Sequence, residues 1–125
     1  MGAWKGLRKA VPKIELVAFE PLQSPLLTTG KGGAHQVEGI GVGFEPPFLD
    51  QSVLTKIIAI DQEQGFAMCR RLAHEERIFY GASTGLNVVG AIDLAKEIGP
   101  GKKLVTLACD NGVKYLGGHV YLRNN

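Results

Sequence analysis

Tyr80-Gly81-Ala82-Ser83-Thr84-Gly85-Leu86 is the stretch of this 125-residue chain that decides its fold. Apolar residues at helical spacing follow it, namely Leu86, Val89, Ile92 and Ala95. This periodicity predicts a largely buried helix, and Ser83 and Thr84 lie where hydroxyl side chains cap a first turn. Small residues at a helix start also leave a hollow for a small anionic or aromatic ligand. A plain strand, turn and helix cap is the alternative interpretation.

The composition indicates a soluble globular protein and excludes several other classes. Apolar residues make up 45% of the chain and charged residues 21%, and the length suits one domain. The net charge of +2, with no aromatic residues among scattered basic ones, predicts no nucleic-acid partner. No apolar run approaches the ~20 residues that span a membrane, and no signal-peptide pattern is present. We therefore expect a cytoplasmic protein that does not contact a membrane.

The cysteines and histidines do not form the pattern of a disulfide framework or a metal site. Cys69 and Cys109 are too few and too far apart in the sequence, so both are predicted to be small core residues in a reducing compartment. His74 and His119 have no carboxylate or cysteine partner at ligand spacing, and no metal site is predicted. His35 lies beside a glycine-rich loop and is predicted to be a surface residue.

Apolar runs and helical patterns alternate along the chain. The apolar runs predict three strands, at residues 14–19, 57–60 and 104–108. The third is expected to be buried on both faces of a sheet, because every position but one in it is apolar. Helices are predicted at residues 1–11, from the cap Asp61 to about Glu76, and after Gly81. The alternation predicts an α/β fold with a parallel sheet.

Two glycine-rich segments precede the second strand, and neither is a known phosphate motif by itself. The segment Gly30-Lys31-Gly32-Gly33 lacks the P-loop spacing. The segment Gly39-Ile40-Gly41-Val42-Gly43 is not the dinucleotide fingerprint, which needs two residues before its last glycine. Its glycines do permit a close approach of backbone to a flat ligand. No catalytic triad or Cys–His pair can be assigned, so single motifs do not establish a function.

Taken together, the motifs are far more specific. Residues 20–50 contain Glu-Pro, Ser-Pro-Leu, His-Gln-Val-Glu-Gly-Ile-Gly-Val-Gly-Phe and Leu-Asp in order. Residues 66–76 (FAMCRRLAHEE), 81–85 (GASTG) and 110–116 (DNGVKYL) follow. This order and spacing resemble cysteine synthases, the pyridoxal-phosphate enzymes also called O-acetylserine sulfhydrylases. The resemblance implies a three-layer α/β sandwich with a short, mainly parallel sheet and helices on both faces. That architecture is part of the large domain of a fold-type II enzyme.

The resemblance also implies a cofactor site. Ser83 matches the serine whose hydroxyl meets the pyridine nitrogen of pyridoxal phosphate, and Thr84 replaces a second serine beside it. Gly39, Ile40 and Gly41 match the loop that lies against the cofactor. A neutral hydroxyl at the pyridine nitrogen suits loss of a group from the β-carbon better than transamination. The parent activity implied is replacement at the β-carbon of O-acetylserine, a small amino acid, by sulfide to give cysteine.

Several parts of the family pattern are absent from these 125 residues. They are the cofactor lysine, the loop for the substrate carboxylate and the phosphate loop, and Glu38 replaces a glutamine. We therefore expect residues 1–125 to be a single partial domain, a C-terminal portion with no catalytic residue and no cofactor bound alone. Two alternatives remain open. One is half of a split enzyme, cystathionine β-synthase-like or related, that a complementary N-terminal-half chain completes. The other is a non-enzymatic binding domain that forms homo-oligomers.

Overall fold

Two parallel strands form the sheet. In the computed structural model, which describes residues 1–122, strands β1 (Val17–Pro21) and β2 (Lys56–Ile60) pair in parallel with Val17 opposite Lys56. Parallel neighbours need a long crossover connection. Here the crossover contains the short helix α2 (Leu26–Thr29) and a 3₁₀ turn (Gln51–Val53). The strands predicted at residues 14–19 and 57–60 are therefore confirmed, with β1 beginning three residues later than expected.

Three further α-helices, a π-helical segment (Leu72–Glu76) and a second 3₁₀ turn (Val113–Tyr115) complete the described architecture. Helix α1 (Gly2–Ala10) buries none of its residues and α3 (Gln62–Arg71) buries one face, whereas α4 (Ala82–Ile98) buries every side of its first turn. The Asp61 side chain caps α3 by accepting a hydrogen bond from the Glu63 N–H at 3.1 Å, as its sequence position predicted. None of the helices within residues 1–122 is both long and apolar enough to span a membrane.

Helix α4 is the centre of the packing. It contacts α3 along much of its length and touches both β1 and β2, while α2 also contacts β2. Phe66 of α3 and Leu86 of α4 are fully buried in this core. Glycines permit the close approach: a Cβ on Gly85 would lie 2.1 Å from the Gly65 carbonyl oxygen. The predicted α/β fold, with helices packed on a short parallel sheet, is confirmed.

The predicted third strand does not form. Residues 104–108 are outside any strand or helix, and Val105 is 82% and Leu107 64% exposed. Within residues 1–122 the sheet consists of β1 and β2 alone. A strand needs a neighbour to pair its N–H and C=O groups, and no described segment lies beside this run in the sheet. The prediction that this run is buried on both faces was therefore wrong.

Candidate functional site

The N-terminus of α4 lies in the buried centre of the chain and presents Ser83. Gly81, in an extended conformation, is the N-cap residue, and no side chain caps the helix. The prediction that Ser83 and Thr84 cap the first turn was therefore wrong, because both lie inside the helix. The Thr84 hydroxyl instead accepts a hydrogen bond from the Cys109 N–H at 2.9 Å. Ser83 is 7% exposed and lies in the first turn of α4.

The glycine loop, residues 37–43, is anchored to the same core as α4. Val37 is 1% exposed in the cluster that includes Leu86, and Ile40 packs against that cluster. Gly39 and Gly41 have φ values of 84° and 60°, a conformation that glycine adopts without steric cost. Gly39 lies at the surface and Gly41 is half-buried. The fold thus brings the loop and the first half of α4, predicted to share one site, onto one hydrophobic cluster.

An ion network also joins the loop to the N-terminus of α4. The Lys114 ammonium lies 3.7 Å from the Glu38 carboxylate in the loop and 2.8 Å from that of Asp110. The Asp110 carbonyl accepts a hydrogen bond from the Gly81 N–H at 2.9 Å. The negative charge that Glu38 introduces is therefore paired with Lys114 at the surface.

Asp110 is a site residue that sequence reasoning did not identify. Its Oδ2 atom accepts hydrogen bonds from the Tyr115 hydroxyl and the Lys114 ammonium, both at 2.8 Å, whereas Oδ1 is buried without a partner within the described residues. Desolvation raises the pKa of Asp110, but the hydrogen bonds from Lys114 and Tyr115 outweigh it and lower the pKa. The signal in the sequence that could have identified it is its place as the first residue of the motif at 110–116 (DNGVKYL).

None of the nine lysines of the chain is buried. A lysine that forms a covalent link to a carbonyl cofactor needs a lowered pKa, which burial or a second cation provides. Lys114, the lysine of the ion network, has its pKa raised because it donates a hydrogen bond to Asp110. Its environment therefore favours the protonated, non-nucleophilic form.

The two cysteines occupy opposite environments. Cys109 is exposed, so the prediction that it is a core residue was wrong, and the reason is the unpaired segment before it. Cys69 is buried and its thiol donates a weak hydrogen bond to the Gly81 carbonyl at 3.3 Å. Burial raises the pKa of the Cys69 thiol to about 11. Among residues 1–122 no group of three or more His, Cys, Asp or Glu side chains is placed to hold a metal ion.

The free energy of unfolding is expected to fall as the pH rises from about 8.5 to about 11. In this window the unfolded chain has lost the Cys69 proton while the folded chain still binds it, so a higher pH favours unfolding. Urea unfolding at several pH values measures the slope. Cys69→Ala should make the slope shallower without abolishing it, because burial also raises the pKa of Tyr121, whereas Cys109→Ala, at an exposed position, should keep the slope. An unchanged slope in Cys69→Ala would contradict the prediction.

Comparison with known proteins assigns the fold to a family. The family described as pyridoxal-phosphate dependent enzymes matches residues 1–110. A cysteine synthase of Staphylococcus aureus is 42% identical over 120 residues, which are 96% of this chain and 39% of that protein. A probable cysteine synthase of Bacillus subtilis is 40% identical over 115 residues, 92% of this chain and 37% of its own length. The chain therefore spans about two fifths of the length of these relatives.

Solved structures agree with the family match. A hydrogen sulfide-producing enzyme from Fusobacterium nucleatum has a TM-score of 0.92 at 29% identity, over 100% of this chain and 37% of that one. An O-acetylserine dependent cystathionine β-synthase from Helicobacter pylori has a TM-score of 0.87 at 34% identity, over 94% of this chain and 38% of that one. The partial α/β domain expected from the resemblance is thus confirmed as that of fold-type II enzymes. The chain belongs to the family of pyridoxal-phosphate dependent enzymes.

Proposed function

We propose that this chain supplies one wall of the pyridoxal-phosphate site of a cysteine-synthase-like enzyme. The observation that carries the proposal is the position of Ser83, which is 7% exposed in the first turn of α4, the helix that shares its hydrophobic core with the glycine loop. A serine hydroxyl carries one O–H donor. The pyridine nitrogen of the cofactor is an acceptor that would satisfy it. The family match supplies the identity of the cofactor.

In this wall, Ser83 would donate to the pyridine nitrogen, and the glycine loop, including Gly39, Ile40 and Gly41, would border the ring. Thr84 orients the first turn of α4, because its hydroxyl already binds the Cys109 N–H. When bound, the cofactor supplies the electron-accepting ring that eases loss of a group from the β-carbon of an amino acid. A neutral hydroxyl at the nitrogen leaves the ring a moderate electron acceptor. The reaction that we propose for the whole enzyme is β-replacement on O-acetylserine by sulfide, giving cysteine.

We further propose that these 125 residues do not complete the reaction alone. All nine lysines are solvent-exposed, and Lys114 is held protonated by Asp110. No lysine here has the desolvated position that a covalent link to the cofactor needs. The residues that bind the substrate carboxylate and the cofactor phosphate would likewise come from elsewhere in the enzyme.

The proposal is tested by combining this chain with the missing part of a related enzyme. The chain is co-expressed with the part of the S. aureus cysteine synthase that lies outside the matched 39%. We expect the pair to bind pyridoxal phosphate, with a visible absorption band, and to form cysteine from O-acetylserine and sulfide. Ser83→Ala should weaken cofactor binding about fivefold to tenfold, the worth of one hydrogen bond. Ser52→Ala, at an exposed position, is the matched control and should bind as the wild type does.

The purified chain alone provides the second arm of this experiment. Titration with pyridoxal phosphate, borohydride reduction and mass spectrometry should label several exposed lysines weakly, with none saturating. Saturable labelling of one lysine would refute the proposal that the chain lacks a cofactor lysine. Equal cofactor affinity of Ser83→Ala and wild type in the complemented pair would refute the role of Ser83.

A second candidate, association with another chain, is favoured by the exposed apolar surface. Val105 and Leu107 lie in a segment outside any strand or helix, and Phe48 is 89% exposed. Unpaired backbone N–H and C=O groups can pair with a further strand, and exposed apolar patches mark contact surfaces. The partner would be a complementary chain of the same enzyme type, cystathionine β-synthase-like or related, or a second copy in a non-enzymatic domain. Sedimentation that finds only monomer at high concentration would exclude the second copy.

A further inference from the structure

His35 links the two ends of the turn that carries Gly39 and Ile40. Its Nδ1 atom accepts a hydrogen bond from the Val37 N–H at 3.2 Å, and its Nε2 atom lies 2.7 Å from the Gly41 carbonyl oxygen. The prediction of a simple surface histidine was therefore wrong, because the ring is half-buried and hydrogen-bonded on both sides. A histidine in this position ties residue 37 to residue 41 across the turn.

These two contacts determine the tautomer of the ring. An amide N–H only donates and a carbonyl oxygen only accepts. The Nδ1 atom that accepts from Val37 therefore carries no proton, and Nε2 must carry the proton that it donates to Gly41. His35 is consequently neutral in this arrangement, with its single N–H on Nε2.

The backbone beside the His35 ring leaves no room for a side chain at position 41. A Cβ on Gly41 would lie 2.5 Å from the His35 Nε2 atom, and the φ of Gly41 is 60°. By contrast, a Cβ on Gly39 would meet nothing within 4 Å, although its φ of 84° also requires glycine. Val37 holds one end of the turn in the core. The sequence-based reason for glycine at 41 was contact with a cofactor, and the ring of His35 is a second, internal reason.

We propose that His35 is a positioning residue, which holds the glycine loop in its cofactor-facing conformation through the neutral Nε2–H tautomer. The place where the loop acts rests on the proposed function, whereas the linkage itself rests only on the contacts of His35, Val37 and Gly41. The residue does not touch the reacting atoms. Its role is to keep the peptide groups of the turn, which the cofactor ring would meet, in one arrangement.

The first test needs no substitution. Two-dimensional ¹H–¹⁵N spectra of imidazole nitrogens, recorded at mildly alkaline pH where imidazoles are neutral, distinguish the two tautomers. His35 should give the signature of a proton on Nε2 only. The exposed His119 is the internal reference and should give the averaged signals of a ring that exchanges between tautomers. A proton on Nδ1 of His35, or averaged signals for it, would overturn the proposal.

The second test uses two matched substitutions that each keep half of the linkage. In His35→Asn the amide oxygen takes the place of Nδ1 and still accepts from Val37. In His35→Gln the amide nitrogen takes the place of Nε2 and still donates to Gly41. We expect hydrogen exchange of the Val37 amide to be about fivefold to tenfold faster in His35→Gln than in the wild type. In His35→Asn the exchange of the Val37 amide should stay slow. The chemical shift of the Val42 amide should change instead, because that N–H belongs to the same peptide group as the Gly41 carbonyl.

The outcomes separate this proposal from the proposed function. His119→Gln is the control substitution and should leave Val37 exchange unchanged. Equal Val37 exchange in wild type and His35→Gln would overturn the linkage, whatever the chain binds, because no cofactor is present in these measurements. Intact linkage together with failure of the complemented pair to bind pyridoxal phosphate would instead count against the cofactor wall.

Discussion

Gly85→Ala should lower the free energy of unfolding by about 3 kcal/mol or more. The added Cβ would lie 2.1 Å from the Gly65 carbonyl oxygen and 2.5 Å from the Cys69 Sγ atom. The thiol can rotate away, but the carbonyl belongs to the backbone of α3, so the two helices must separate. The gain of about 1 kcal/mol that alanine brings to a helix interior is smaller than this cost.

Urea unfolding followed by circular dichroism measures this change as a shift of the midpoint. Gly6→Ala is the matched control, because Gly6 lies in α1 and a Cβ there would meet nothing within 4 Å. Gly6→Ala should leave the stability unchanged or raise it by up to about 1 kcal/mol. A wild-type midpoint for Gly85→Ala would contradict the close approach of α3 and α4.

Phe66→Ala should lower the free energy of unfolding by about 3–5 kcal/mol. The side chain is 1% exposed and lies in the core cluster, so its removal loses apolar burial and leaves a cavity. Phe48 is 89% exposed, and Phe48→Ala should change stability by no more than about 0.5 kcal/mol. The two substitutions remove the same atoms and differ only in their surroundings.

The same unfolding measurement compares the pair of phenylalanine variants. Phe66→Leu, which removes less volume, keeps the test informative if Phe66→Ala does not fold, and it should lie between Phe66→Ala and the wild type. Similar losses for Phe66→Ala and Phe48→Ala would be inconsistent with the described core. If Phe48→Ala alone destabilised the chain, or weakened its self-association, Phe48 would be covered by another chain in solution.

Local features of the sequence determined much of the fold. The apolar runs that became β1 and β2 were predictable because both also pack against helices within the chain. The Asp61 cap depends on the Glu63 N–H two positions away, so no distant contact was needed to place it. The motifs identified the family because they occur in the family's order and spacing along nearly the whole chain, although each motif alone is weak evidence.

Other features were decided only by the tertiary structure. Residues 104–108 have a strand-like composition, but a strand exists only where a neighbour pairs with it, and none does within residues 1–122. Ser83 and Thr84 lie within α4 because the chain is already helical one residue after Gly81. The partners of His35 lie two and six residues away, and which of its nitrogens meets which group depends on the turn. Composition and periodicity describe how each segment favours helix or strand, whereas pairing, burial and tautomer depend on which groups the folded chain brings together.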